Sequence, residues 1–212
     1  MRLQRLDTEK GGTALKVSKH RLAANREALV QAASRLFRER GVEGVGVAEI
    51  CREAGLTHGA LYAQFPSKEA LAAEALADGL ARVNALMTAP RDGYEPSLGE
   101  YLDFYLSRQH RDNLGAGCAM AASASEIARH GEEVSARFVE GFDVLVGAVE
   151  RALVTTEGAT ERRQRAQALV AAMVGGVAAA RATARADPTL SDEILVAVRR
   201  VLGELGGEGR PG

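Results

Sequence analysis

The chain has 212 residues, of which 46% are hydrophobic and only 4% aromatic, with two cysteines and a formal net charge of −1. That length supports one large or two small domains whose core needs no disulfide or metal. Cys51 and Cys118 are far apart in sequence and form no CxxC pattern, so neither a zinc site nor a disulfide scaffold is suggested.

The near-neutral total hides an asymmetry: residues 1–66 hold eleven Lys/Arg against seven Asp/Glu, and the remainder sixteen against twenty-one. A basic first third on an acidic remainder fits a polyanion partner for one part of the chain only. Residues 1–20 are polar, carry Gly11-Gly12 and show no apolar period, so they read as a loose basic arm. They contain no apolar h-region, and a reducing, cytoplasmic setting is expected.

From Asn25, apolar residues at Leu29, Ala32, Ala33, Leu36 and Phe37 form an i, i+3, i+4 stripe that Gly41 ends. A short helix follows with Val47, Ile50, Cys51 and Ala54 on one face, stopped by Gly55. Thr57 then caps a third helix whose Leu61 and Phe65 point inward, and Pro66 closes it. Ser67 opens a longer helix through Leu71, Ala75, Leu80 and Val83 to about residue 87. After a loop marked by Pro90, Gly93 and Pro96, Ser97 and Glu100 form a capping box. A polar break, "RDNLGAG", separates that helix from one over about 118–130. Three more run over about 132–154, 160–185 and 191–205, with a disordered tail at 206–212. The expectation is an all-α chain of about nine helices without an internal repeat, its apolar run at 168–180 too short to span a bilayer.

The third helix is the unusual element. It is too short to be stable alone, and its outward face presents Thr57, His58, Gly59, Tyr62 and Gln64. Small residues at Gly59, Ala60 and Ala63 allow close approach, while Tyr62 and Gln64 can bond phosphates or base edges. Lys68 opens the next helix, whose N-terminal amides favour an anion. The segment "REALVQAASRLFRERGVEGVGVAEICREAGLTHGALYAQFPSKEAL" resembles the DNA-binding domain of the TetR family of bacterial transcriptional regulators. The AGLT turn, the LYxxF recognition helix and the xSKEAL stretch stand in register, and "LTHGALYAQF" resembles a subgroup with a histidine just after the cap.

The resemblance implies a helix-turn-helix domain at 21–66 and a ligand-binding and dimerisation domain at 67–205. It implies base contacts for His58 and Gly59, phosphate contacts for Tyr62, Gln64 and Lys68, and a cap role for Thr57. Departures stand at Gly46, Val47 and Ala48, where the family carries Thr or Ser and often Arg, and at Ala60, which lacks a hydroxyl. Lys16, Lys19 and Arg21 of the arm are candidates to compensate from the minor groove. The implied partners are a palindromic operator, a second copy of the chain and a small-molecule effector. No cofactor, metal or membrane partner is expected.

On the same basis, a strip of small residues at Ala171, Gly175, Ala178 and Ala179 suits a helix crossing between subunits, with Ile194, Val198 and Leu202 as companions. Tyr101, Phe104, Tyr105 and Met120, with Phe138, Phe142 and Met173, are candidates for an effector pocket. Cys118, after Gly115-Ala116-Gly117, is expected in the first turn of a helix whose dipole favours thiolate, which would suit a thiol-reactive effector. Glu126 and His130 share a face at i, i+4 and read as a surface ion pair rather than a metal site. A helical enzyme and a protein-interaction scaffold are the competing classes; no GxSxG, P-loop, HExxH or paired-carboxylate arrangement is present.

Overall fold

Leu29, Ala33, Leu36 and Phe37 repeat at helical spacing, and in the computed structural model they face one core from α1 (Glu9–Arg40). The structure describes residues 9–88 and 96–207, and all ten elements among them are α-helices. The loop expected around Pro90 and Gly93, most of the tail and the first eight residues lie outside the described residues. The segment read as a loose arm is helical from Glu9 on, because apart from Gly11-Gly12 nothing in it opposes extension of α1.

Gly41, at a φ of 77°, ends α1 by donating its N–H to Phe37 O at 2.8 Å. Next comes α2 (Val47–Glu53), closed by a Schellman arrangement: Gly55 at φ 66° donates to Arg52 O at 3.2 Å, and Leu56 donates to Cys51 O at 2.8 Å. Thr57 Oγ1 accepts the Ala60 N–H at 3.3 Å and starts α3 (His58–Tyr62). α4 (Lys68–Thr88) begins with Ser67 Oγ accepting from Ala70 N–H at 3.0 Å. Leu61 and Phe65 are buried with Ile50, Leu29 and Leu71 in the first of two hydrophobic clusters. Cys51 is part of that cluster, as its place on the apolar face of α2 requires.

The second cluster belongs to the remaining helices. α5 (Leu98–Tyr105) opens with the expected capping box, and α6 (Arg108–Asp112) is a short turn of helix leading into the expected break. α7 (Ala119–Ile127), α8 (Glu132–Ala152), α9 (Ala159–Thr183) and α10 (Pro188–Leu205) complete it. α10 starts three residues earlier than the sequence suggests, because Asp187 supplies the cap and Pro188 takes the first position. Ser191, freed from capping, is fully buried and donates to Ala180 O at 2.7 Å.

α4 is the shared wall. Its Leu71, Ala72 and Ala75 join the first cluster, and its Ala73, Leu76, Leu80 and Val83 join the second. It crosses α8 so closely that a Cβ on Gly141 would lie 2.4 Å from Leu80 Cδ1. α9 is by length and composition apolar enough to cross a membrane, and its apolar face, Leu169, Val170, Met173 and Val177, is the core face against α8 and α10.

Candidate nucleic-acid interface

The exposed side of α3 is built by what holds its other side. Arg26 of α1 lies 4.2 Å over the Phe65 ring, donates to Gln64 O at 2.9 Å and pairs with Glu74 of α4. With Leu61 and Phe65 anchored, Thr57, His58, Gly59 and Tyr62 face solvent, and Tyr62 is 55% exposed. A Cβ on Gly59 would meet nothing nearer than Thr57 Oγ1 at 3.9 Å, so the helix presents a low surface at that point. Lys68 is half-buried at the first residue of α4. Gly46 caps α2 without a side chain, so the hydroxyl missing from the sequence has no substitute there.

Gln64 departs from expectation. It is half-buried, and its amide donates to Leu22 O at 3.2 Å, which ties α3 back to α1. A residue one turn beyond the exposed stripe faces the brace instead of solvent. Lys19 and Arg21 are exposed on α1, so they project from a helix; the Lys16 side chain lies outside the description.

The effector-pocket candidates are packed, not open. Tyr101, Tyr105, Cys118, Met120 and Met173 are all buried in the second cluster. Phe138 and Phe142 are half-buried with ring centroids 6.4 Å apart, and Phe104 is exposed with its edge toward His110 at 5.4 Å. None of them lines an open groove of about 850 Å³ between α1, the end of α2, α4 and the turn before α7. That groove has a floor of small residues such as Ala32, Gly79 and Gly115 and walls of Arg35, Arg38, Glu53, Asp78 and Arg82. Apart from Phe104, these large apolar side chains found partners in the core, and the cleft opened where small residues left room. No sequence period marks that.

Cys118 is the N-cap of α7, just ahead of its first turn, and it is 1% exposed. Burial pushes its thiol above the ordinary range, overriding the Tyr105 hydroxyl that donates to Sγ at 2.8 Å and the neighbouring backbone amides. Burial therefore opposes the thiolate that the helix end was expected to favour. Labelling of native protein with a thiol-reactive maleimide at pH 7 should be at least a hundredfold slower at Cys118 than in the unfolded chain. Comparable rates would restore the reactive-thiol reading.

His110 shares this pocket, stacked on Tyr105 at 4.8 Å and accepting the Cys118 N–H at Nε2 over 3.2 Å. Burial first, and then the charge of Arg181, depress it from 6.5 to about 4. A histidine held below its unfolded value stabilises the fold at pH above 6.5, and that contribution drains away as pH falls toward 4. The loss is roughly 3 kcal/mol at 1.36 kcal/mol per unit. Denaturant titrations at pH 7 and pH 4.5 should show it, and His110→Gln should lose markedly less between the two.

On the proposed dimer face, Ala171, Gly175 and Ala179 are exposed, Ala178 is half-buried, and a Cβ on Gly175 would meet nothing within 4 Å. α10 is rotated from expectation: Leu202 is buried in its own subunit's core, while Ile194 and Val198 pack partly against it, Val198 lying on Gly176. The large apolar residues that α10 leaves exposed are Leu190, Val196, Val201 and Leu205. Both faces of α10 are apolar, so the sequence alone could not orient it.

Two residues the sequence did not single out brace these helices, Arg26 behind α3 and Arg38, which donates through Nε to Gly115 O at 2.9 Å, and a third, Glu126, read from sequence only as an ion-pair partner, accepts from Val42 and Glu43. Their partners lie 38 to 84 residues away, beyond any local pattern. Glu126 and His130 are also not a surface pair. They are 12% and 9% exposed and 4.0 Å apart.

Residues 29–75 match the family model of bacterial regulatory proteins described as the tetR family. The chain is 28% identical over 160 residues to the HTH-type transcriptional regulator LmrA of Bacillus subtilis, covering 72% of this chain and 83% of that protein. It is 30% identical over 93 residues to the HTH-type transcriptional repressor KstR2 of Mycolicibacterium smegmatis, covering 42% and 45%. In fold it is similar to the reduced form of Escherichia coli NemR, with a TM-score of 0.67 at 22% identity over 83% of this chain and 95% of that one.

Proposed function

We infer that this chain belongs to the TetR family of bacterial regulatory proteins and is a DNA-binding transcriptional regulator that recognises a palindromic operator as a homodimer and releases it when a small molecule binds. The observation that carries this reading is α3: a five-residue helix anchored by two buried side chains, with its whole polar face turned to solvent. His58 and Gly59 are the residues nearest base edges, Tyr62 and Lys68 hold phosphates, and Thr57 fixes the helix start. The histidine after the cap supports assignment to the subgroup that carries it there. Gln64 acts by bracing α3 rather than by touching DNA.

Two copies joined through the α9 strip and the exposed apolar residues of α10 set two recognition helices into successive major grooves, so the site has two-fold symmetry. Repression follows when that site overlaps a promoter, in the cytoplasm where the chromosome lies. An effector among Tyr101, Tyr105, Met120 and Met173 must part side chains that are closed in this state. It therefore binds the opened conformation better and draws the population toward it. With its shared wall displaced, the separation of the two α3 helices changes and operator affinity falls by the same coupling free energy.

Selection of duplexes from random DNA by the full-length protein tests the reading. The expected product is a palindrome bound with steep salt dependence by a species sedimenting as a dimer. Indifference to DNA at low salt would sink it in favour of a helical scaffold.

A further inference from the structure

The two hydrophobic clusters meet along a seam between α1, α4 and α7, and polar bonds cross it in place of a continuous core. A small cavity of about 20 Å³, bordered by Phe37, Val42, Ala75, Leu76, Ala119 and Ile127, lies in the seam. Across it, Glu126 of α7 reaches the turn between α1 and α2. The left-handed Gly41 turns the next two amides the same way. Val42 and Glu43 donate them to Glu126 Oε2 and Oε1 at 3.0 and 2.9 Å. A Cβ at position 41 would lie 3.0 Å from Oε2, so the glycine also makes room for the carboxylate. Nearby, Glu69 in the first turn of α4 accepts the Gly131 N–H at 2.7 Å. The α7–α8 corner thus holds the approach to α2 and the start of α4 at once.

Resting on the operator-binding reading, we propose that Glu126 is a positioning residue for DNA recognition: a clasp that sets α2 and α3 against the C-terminal helices and passes movement of α7 to the recognition helix without α4. The chemistry favours this role. A largely buried carboxylate taking two backbone amides makes charge-assisted bonds, and opening it leaves two donors unpaired. Gln at this position keeps the volume but turns an NH₂ toward one of those donors. Asp is one methylene too short to reach both.

The test uses the full chain with Glu126→Ala, Glu126→Gln and Glu126→Asp, read by amide hydrogen exchange and by binding to a duplex that the wild type selects from random DNA. Exchange at Val42, Glu43 and across residues 46–65 should rise about tenfold or more in the Ala and Gln variants, within the usual range of coupling between sites. The Asp variant should fall between them and wild type. Affinity for the selected duplex should drop about tenfold, with random-duplex affinity and its salt slope unchanged because the phosphate contacts survive. Unchanged exchange in 46–65, or unchanged selected-duplex affinity, overturns the proposal. So does a rise spread equally over α8 and α9, which would make Glu126 a general stability residue. If the wild type selects no duplex, the operator reading fails by itself and the exchange arm still decides the clasp.

Discussion

Tyr62→Ala is expected to lower operator affinity by about 10²- to 10⁴-fold while the melting temperature moves by no more than about 2 °C. The ring is 55% exposed and belongs to neither hydrophobic cluster. Surface substitutions of that kind change stability by about 0.5 kcal/mol or less. In the proposed operator complex its hydroxyl donates to a phosphate, a bond to a charged group worth roughly 1.5–3 kcal/mol. The proposed dimer loses it twice, so the expected total is about 3–6 kcal/mol, at 1.4 kcal/mol per tenfold. Fluorescence anisotropy on the selected duplex, beside a thermal melt of the same sample, separates the two quantities. Loss of folding in step with loss of binding would show the tyrosine to be structural.

The opposite signature is expected three residues on. Phe65→Ala should destabilise the first cluster by about 3–5 kcal/mol, the usual cost of emptying a buried aromatic site. Phe65 is 1% exposed, and with Leu61 it is what α3 stands on. A helix of five residues has no stability of its own. The variant also loses the Arg26 guanidinium stacked on the ring, worth about 0.5–1 kcal/mol more. DNA binding and cooperative melting should therefore fail together, with urea denaturation showing the N-terminal helices opening first. Retention of the wild-type midpoint would mean that α3 is held by something other than its two inward residues.

The contrast between these positions was readable from spacing. Leu61 and Phe65 stand at i, i+4 and Tyr62 does not, so one helical turn sorts them. The caps were equally legible: Thr57, Ser67 and Ser97 each accept the amide three residues on. Gly41 and Gly55 sit at positive φ. Such features depend on neighbours within four residues. Where side chains answered to distant partners, local pattern misled: Gln64 turned to Leu22, Leu202 turned inward, and Cys118 lost its thiolate to burial.

By itself, then, the order of residues determined most of the helices, several of their caps and the exposed polar face of α3, because each follows from backbone geometry and side-chain chemistry over a single turn. Tertiary structure alone decided which apolar faces meet, where the interior stays closed and which carboxylate bonds the turn between α1 and α2. Burial and long-range hydrogen bonding are properties of the packed chain, and Glu126 meets Val42, 84 positions away, only once the chain between them has folded.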